Sequence, residues 1–172
     1  MFYFGLGLLL GASTVAFVAG VFGGVVQALV PAPVRLGALA LLAAVVFARE
    51  TGLASFRVPE NRRLVPEHVL HKGRVIGGVQ FGFEMGTGMR TYSPSAQPHL
   101  VLAAMVLALP FGGALAAGVG FALARWVMAA ASMAHSDDGS WTAAWKRNQR
   151  RLAVATAVTT IGSLVAGLAI SG

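Results

Sequence analysis

Four polar side chains recur at helical spacing inside an otherwise apolar part of the sequence. Gln80, Glu84, Thr87 and Thr91 are separated by 4, 3 and 4 residues, so they share one face of a helix that begins near Val75. A carboxyl group is costly against lipid, and membrane proteins that keep one often use it on the path of a solute or an ion. We therefore expect this face to be directed at the protein interior or at water.

A second group of polar residues follows in the stretch YSPSAQP, where regular helix should stop. Pro94 and Pro98 lack backbone N–H donors and disfavour helical geometry at the residues before them. Irregular backbone at membrane depth needs a protein-lined or water-filled environment, whereas Arg90 is close enough to the surface to reach headgroups. The predicted polar intramembrane site comprises Gln80, Glu84, Thr87, Arg90, Thr91, Ser93, Ser95 and His99.

The sequence offers no catalytic constellation and no metal site. It contains no cysteine, which excludes disulfides, thiolate ligands and thiol redox chemistry by this chain. The 6 acidic residues are scattered, and no nucleophile has an evident base. Glu67, His68 and His71 form E-H-x-x-H, which differs from the H-E-x-x-H of zinc peptidases. We therefore expect a non-enzyme that binds no metal ion and no cofactor.

Membrane-spanning helices must position these polar residues. The 172 residues are 56% hydrophobic and 11% charged, which is too apolar for one small water-soluble core. Windows of about 20 apolar residues predict a single all-α integral membrane domain, residues 1–172, with about five transmembrane helices. The predicted spans are 2–30, 34–48, 75–109, 112–133 and 152–170, with basic linkers at 49–74 and 134–151.

The basic residues predict how the helices are oriented. The two linkers and the neighbouring Arg125 hold 11 of the 13 Lys and Arg residues, and only Arg35 and Arg90 fall near the opposite surface. By the positive-inside rule, both linkers and the N-terminus are cytoplasmic and the C-terminus is outside, in the cell membrane. The bilayer is the expected partner of these charges. Nucleic acid is not, because no nucleic-acid fold signature accompanies them.

Small residues recur every four positions in several of the predicted helices. Such ridges allow close helix packing in lipid, so they predict a compact bundle that associates with another membrane protein or with a second copy. The clearest ridges are Gly78, Gly82 and Gly86 in one helix and Gly112, Ala116, Gly120 and Ala124 in another.

The residues from Val75 to Met133 can be threaded through the membrane in two ways. Either YSPSAQP is a short outer loop between two ordinary helices, or it is the break in one discontinuous helix from Val75 to about Leu109. In the second case the break lies near Ser93–Pro98 and PFGG is the outer turn. We favour the second, because it avoids an apolar segment of 34 residues in the bilayer.

The next basic linker contains a second local pattern. Asp138 or Ser140 is suited to cap a short helix, on which Trp141 and Trp145 lie four residues apart. With the basic residues that follow, this predicts an interfacial anchor for the last span.

The segments VIGGVQFGFEMGTGMRTYSPSAQPHLVLAAMVLALP and GGALAAGVGFALARWVM resemble the fourth and fifth helices of the DsbD/CcdA-like membrane electron carriers. The opening segments resemble the second and third. The resemblance implies inverted three-helix repeats, each with a first helix broken at a proline-cysteine pair. Here Pro94 is followed by Ser95, and the family's first helix has no counterpart. The resemblance therefore implies the scaffold but none of the family's catalytic residues.

Two functions follow from these expectations. The first is an accessory or scaffold subunit, a cysteine-less and shortened relative of the carrier fold that packs against other membrane proteins. The second is a small-solute or ion permease, in which the broken helix supplies free backbone groups and Glu84 the ionisable group. A fixed complex with a different protein favours the first, and solute movement by a homo-oligomer favours the second.

Overall fold

The computed structural model describes residues 1–56, 73, 75–88, 95–134 and 140–171, and their secondary structure is entirely helical. The six helices of this described part are α1 (Phe2–Leu29), α2 (Ala32–Glu50), α3 (Ile76–Thr87), α4 (Gln97–Leu107), α5 (Phe111–Ala134) and α6 (Ser140–Ser171). Three of them, α1, α2 and α5, are long and apolar enough to cross a membrane. The prediction of an all-α membrane helix bundle is therefore confirmed.

Proline and glycine set several of the helix ends. α1 stops at Leu29, because Val30 is extended before Pro31, and α2 has Pro33 in its first turn. α3 ends where Gly88 adopts a left-handed conformation with φ 70°, which glycine adopts without steric cost. α4 begins at Gln97, one residue before Pro98, which lies in its first turn. The helix therefore starts inside the stretch Ser93–Pro98 that was predicted to be irregular.

α1 is the helix against which α3, α4 and α5 pack. Side chains at Gly7 and Gly11 would meet the backbone of Val79 and Phe83 in α3, whereas one at Gly23 would meet the Met105 carbonyl oxygen in α4 at 2.7 Å. Thus α3 covers the first half of α1 and α4 covers the second half, and both run parallel to it. The two short helices lie in series, as expected for one discontinuous helix.

α5 runs antiparallel to α1 and packs on another side of it. Gly20 of α1 lies near Ala114, whereas Gly5 of α1 lies near Trp126. The packing face of α5 consists of Ala114, Gly118 and Ala122, all buried. The predicted ridge Gly112, Ala116, Gly120 and Ala124 is exposed instead, and a side chain at Gly112 or Gly120 would meet nothing within 4 Å.

The glycine ridge of α3 has the opposite placement. Gly82 and Gly86 are buried and Gly78 is half-buried. A Cβ atom at Gly86 would lie 3.0 Å from the Leu8 Cα atom, so this ridge lies directly against the α1 backbone. Close approach of this kind is what small residues allow in membrane helix pairs.

α2 and α6 lie on the other side of α4. Their shared apolar core joins α2 to α4, and Ile161 and Leu164 of α6 pack against it. The buried members of this core are Leu39, Val46, Ala96, Leu100 and Ala104.

α6 is longer than the last predicted span. It starts at Ser140 rather than near Leu152, so the tryptophan and basic residues belong to the same helix as the apolar residues that follow. The physical reason is that Ala, Lys, Arg and Gln are good helix formers. A change from polar to apolar surface marks a boundary of solvent, and the helix continues through it.

Candidate functional site

Three residues of the predicted polar face lie in the described part of α3. Gln80, Glu84 and Thr87 are all half-buried. The Gln80 Nε2 donates to Glu84 Oε1 at 3.3 Å, and the Thr87 hydroxyl donates to the Glu84 carbonyl oxygen at 3.0 Å. The Glu84 Oε2 atom is inaccessible to solvent. The carboxyl group is thus shielded on one side, as an ionisable group in an apolar helix requires.

The break before α4 is closed by a carboxylate from another helix. Glu50, the last residue of α2, is buried, and its Oε1 accepts from the Ala96 backbone N–H at 2.8 Å and from the Ser95 hydroxyl at 3.1 Å. The same oxygen pairs with Arg49 Nη1 at 3.1 Å. An anion is favoured at a helix N-terminus, where backbone donors lack partners. Glu50 therefore caps the N-terminus of α4 from another helix, beside the Ser95 hydroxyl, which accepts from the Gln97 backbone N–H at 3.1 Å.

The other end of α4 is also satisfied by residues of other helices. The Gln27 amide of α1 donates to the carbonyl oxygens of Val106 and Leu109, both at 3.1 Å. The Arg35 guanidinium donates through Nη1 to the Leu107 carbonyl oxygen and through Nε to Val30 at 2.9 Å. The Val106, Leu107 and Leu109 carbonyls belong to the last turn of α4 or closely follow it, where a cation is favoured, whereas Val30 follows the last residue of α1.

Together Glu50, Gln27 and Arg35 form what we call the α4 caps. α2 lies antiparallel to α4, so its basic start meets the end of α4 and its acidic end meets the start of α4. Each favourable charge at a helix end contributes about 0.3–2 kcal/mol, the larger values applying to partly buried geometries. An 11-residue helix is too short to be stable alone, so the caps and the packing against α1 and α2 hold it in place.

The Glu50 cap at the start of α4 can be placed relative to α1. Ala96 is roughly 14 Å along α4 from Met105, and Met105 packs on the Ala16 and Ala19 part of α1. The Glu50 carboxylate therefore lies at the level of the first half of α1, which is about 42 Å long.

The side chains of Gln97 and Arg150 join α6 to α4 and α2. The Gln97 amide donates to the Ala153 carbonyl oxygen at 3.0 Å and to the Thr156 hydroxyl at 2.8 Å. The Arg150 guanidinium donates to the Thr51 carbonyl oxygen at 2.8 Å. α2, α4 and α6 thus share one polar layer at the level of the break.

The Gln97 contacts predict a modest effect on stability. Gln97→Leu removes both interhelical hydrogen bonds, each worth about 0.6 kcal/mol on average in membrane proteins. We expect the free energy of unfolding to fall by about 1 kcal/mol, measured by thermal unfolding in detergent. Gln149→Leu on the exposed face of α6 is the matched control and should unfold like the wild type. Equal midpoints for the two variants would show that Gln97 does not hold α6.

The remaining predicted site residues are distributed as follows. Ser95 joins the α4 caps through Glu50, and His99 is half-buried in the first turn of α4. Arg90, Thr91 and Ser93 lie outside the described residues. So do Glu67, His68 and His71 of the E-H-x-x-H pattern.

Glu50, Gln27 and Arg35 were missed as site residues in the sequence. The sequence places Glu50 in a basic linker, Arg35 near the opposite surface and Gln27 inside an apolar run. The signal was present in the opposite charges at the two ends of one helix-length apolar segment. These charges cap α4 because α2 packs against α4, and the sequence alone does not reveal that packing.

The fold and this layer define the chain as a helical membrane protein in which two short helices lie in series and the second is capped from neighbouring helices. No protein-family model, curated protein or solved structure matches it.

Proposed function

We propose that this protein is a non-catalytic accessory or scaffold subunit of the cell membrane, which packs against a different membrane protein. Its N-terminus is cytoplasmic and its C-terminus outside, since the basic residues cluster in 49–74, at Arg125 and in 134–151.

The exposed small-residue ridge on α5 carries the proposal. Gly112 and Gly120 have open space where a side chain would be, and Ala116 and Ala124 are exposed between and beyond them. The buried faces of α1 and α3 use the same kind of ridge to bring two backbones together. A transmembrane helix of a partner fits the α5 ridge in the same way.

The α4 caps favour the scaffold function rather than an open transport site. A permease with a discontinuous helix presents half-helix ends to its solute. Here the Ala96 N–H is bonded to Glu50, and the carbonyls of Val106, Leu107 and Leu109 accept from Gln27 and Arg35. These backbone groups already have protein partners.

The arrangement of α3 and α4 also supports kinship with the carrier scaffold. Two short helices in series along α1 are what the resemblance to the DsbD/CcdA-like carriers implies. With Ser95 beside the break in place of a cysteine, the scaffold is retained without the chemistry.

The test is whether the complex depends on the α5 ridge. We expect native mass spectrometry of protein extracted gently from its own membrane to give a fixed ratio with a different polypeptide. Gly120→Leu places a bulky side chain on the ridge and should remove that species. Gly37→Leu, at an exposed glycine of α2 that also has nothing within 4 Å, is the matched control and should leave it unchanged. A wild type found only as a monomer, or a complex that survives Gly120→Leu, would refute the proposal.

A small-solute or ion permease is the second candidate, favoured by the shielded carboxyl group on α3. Glu84 lies among Gln80 and Thr87 on the half-helix that precedes the break. Solute uptake by the purified protein in liposomes, reduced by Glu84→Gln, would support this function. Equal uptake by the two proteins, or none by either, would remove it.

A further inference from the structure

A groove opens between four helices at the end of the bundle where α1 begins. It has a volume of about 360 Å³ and is lined mainly by apolar side chains. α1, α3, α5 and α6 each contribute to it, through Phe4, Met85, Arg125, Met128, Thr142 and Trp145 among others. The volume lies in the range of small-molecule sites.

Arg125 is the one charged residue among the described residues that line the groove. It is half-buried, it donates from Nη1 to the Met85 carbonyl oxygen at 3.1 Å, and its guanidinium lies 5.4 Å from the centre of the Phe121 ring. Both contacts fix the planar group at the groove wall. A fixed guanidinium is the side chain best suited to phosphate, which it binds through two parallel hydrogen bonds.

The surroundings add positive charge and an interfacial residue. Trp145 borders the groove and is 37% exposed, and tryptophan is enriched where one side of a ring meets lipid and the other meets water. The next turns of α6 carry four exposed basic residues: Lys146, Arg147, Arg150 and Arg151. Asp137 and Asp138 also precede α6 in the sequence, but with Arg125 the basic residues outnumber them five to two. The net charge at this end therefore favours an anion, while the walls favour hydrocarbon.

We propose that this groove binds one anionic phospholipid of the adjacent leaflet. The lipid phosphate lies at Arg125, and the first part of an acyl chain runs along Phe4, Met85 and Met128. The Thr142 and Ser132 side chains at the groove provide hydroxyls near the headgroup. Because the groove is smaller than a whole phospholipid, the rest of both chains stays in the bilayer.

The proposal is independent of the scaffold function, because the α5 ridge and the groove use different residues. The ridge consists of Gly112, Ala116, Gly120 and Ala124, and the groove uses Arg125, Met128 and Ser132 of the same helix. Loss of a partner by Gly120→Leu and loss of lipid by Arg125→Gln are therefore separate results.

The test measures lipid retention by the full chain purified in neutral detergent. Phosphatidylglycerol and phosphatidylcholine are titrated separately, and bound lipid is counted by native mass spectrometry. We expect one phosphatidylglycerol per chain, bound about tenfold more tightly than phosphatidylcholine. Both lipids carry the phosphate, but the choline ammonium of phosphatidylcholine cancels its charge and is repelled by Arg125 and the basic residues of α6. Inorganic phosphate at millimolar concentration should not displace it, because it lacks the acyl chain.

Two variants and one control assign the site. Arg125→Gln should weaken phosphatidylglycerol about tenfold, while Arg147→Gln, which removes an equal charge from the exposed face of α6, should change it less than about twofold. Ser132→Phe fills the exposed mouth of the groove and should also weaken binding with Arg125 intact. Helicity and monodispersity establish that each variant is folded.

Three results would overturn the proposal. They are equal affinity for the two lipids, displacement by inorganic phosphate, and wild-type affinity in folded Arg125→Gln. If Arg125→Gln does not fold, Ser132→Phe decides, and unchanged binding in that variant rejects the groove.

Discussion

Glu50→Ala is expected to destabilise the protein by about 2–4 kcal/mol, which is the largest effect expected among the polar side chains that the structure describes. The substitution leaves the buried Ala96 N–H without its acceptor at 2.8 Å, and an unsatisfied buried donor costs about 1–3 kcal/mol. It also removes the anion from the N-terminus of α4 and from Arg49, whose side chain is 19% exposed, and this pair adds on the order of 1 kcal/mol. Thermal unfolding in detergent measures the loss.

Glu50→Gln separates the charge from the hydrogen bond. Glutamine keeps an acceptor oxygen for Ala96 and Ser95 but has no charge, so we expect a smaller loss of about 1 kcal/mol. Glu84→Gln is the comparison, because Glu84 lies on α3 away from the α4 N-terminus, and its effect on stability should be smaller still. Equal midpoints for Glu50→Ala and the wild type would mean that Glu50 does not cap α4.

Arg35→Gln tests the opposite end of the same helix. The two ends of α4 are about 16 Å apart along its axis, and sites farther apart than about 10 Å usually contribute independently. The loss in the double variant Glu50→Gln with Arg35→Gln should therefore equal the sum of the single losses. A clear departure from that sum would indicate that the two caps act as one unit.

The helices that are bounded by turns were predictable from the sequence. The predicted spans 2–30, 34–48 and 112–133 compare closely with α1, α2 and α5, because an apolar run followed by Pro31, or preceded by Pro110, has few other ways to end. The start of α6 was not predictable in the same way. Lysine and arginine mark the edge of the membrane, but they do not interrupt a helix.

The spacing of small residues alone does not predict which face of α5 packs inward. Gly112, Ala116, Gly120 and Ala124 form one row of small residues, and Ala114, Gly118 and Ala122 form another. Both rows suit close packing, and the choice depends on where the glycines of α1 lie in space. The α4 caps were not predictable for the same reason. Glu50 and Ala96 are far apart in the chain and are brought together only by the packing of α2 on α4.

Gly7→Ala is expected to disrupt the contact between α1 and α3 and to destabilise the protein by about 1–3 kcal/mol. A Cβ atom there would meet the Val79 carbonyl oxygen, and it would lie 2.8 Å from the Phe83 nitrogen and 2.9 Å from the Gly82 Cα atom. All three are backbone atoms, so no side-chain rotation relieves the clash. α1 and α3 must separate instead.

A graded series of glycine-to-alanine substitutions in α1 and α3 makes the measurement specific. Gly24→Ala, also on α1, meets nothing within 4 Å and should raise stability by up to about 1 kcal/mol, because alanine is the better helix former. Gly78→Ala lies 3.2 Å from the Tyr3 Cβ atom and should fall between the two. Thermal midpoints in detergent should follow the order Gly24→Ala, Gly78→Ala, Gly7→Ala from most to least stable. If Gly7→Ala is as stable as Gly24→Ala, the two backbones do not approach each other.

The discontinuous helix also predicts where the damage from Gly7→Ala should stop. α3 has 12 residues, too few to persist without its neighbours, and its main support is the α1 surface that Gly7 provides. α4 has independent support from Glu50, Gln27 and Arg35. Hydrogen exchange of Gly7→Ala should therefore accelerate in residues 76–87 and stay close to wild type in residues 97–107. Faster exchange in both segments would mean that α3 and α4 behave as one continuous unit and that the caps do not hold α4 by themselves.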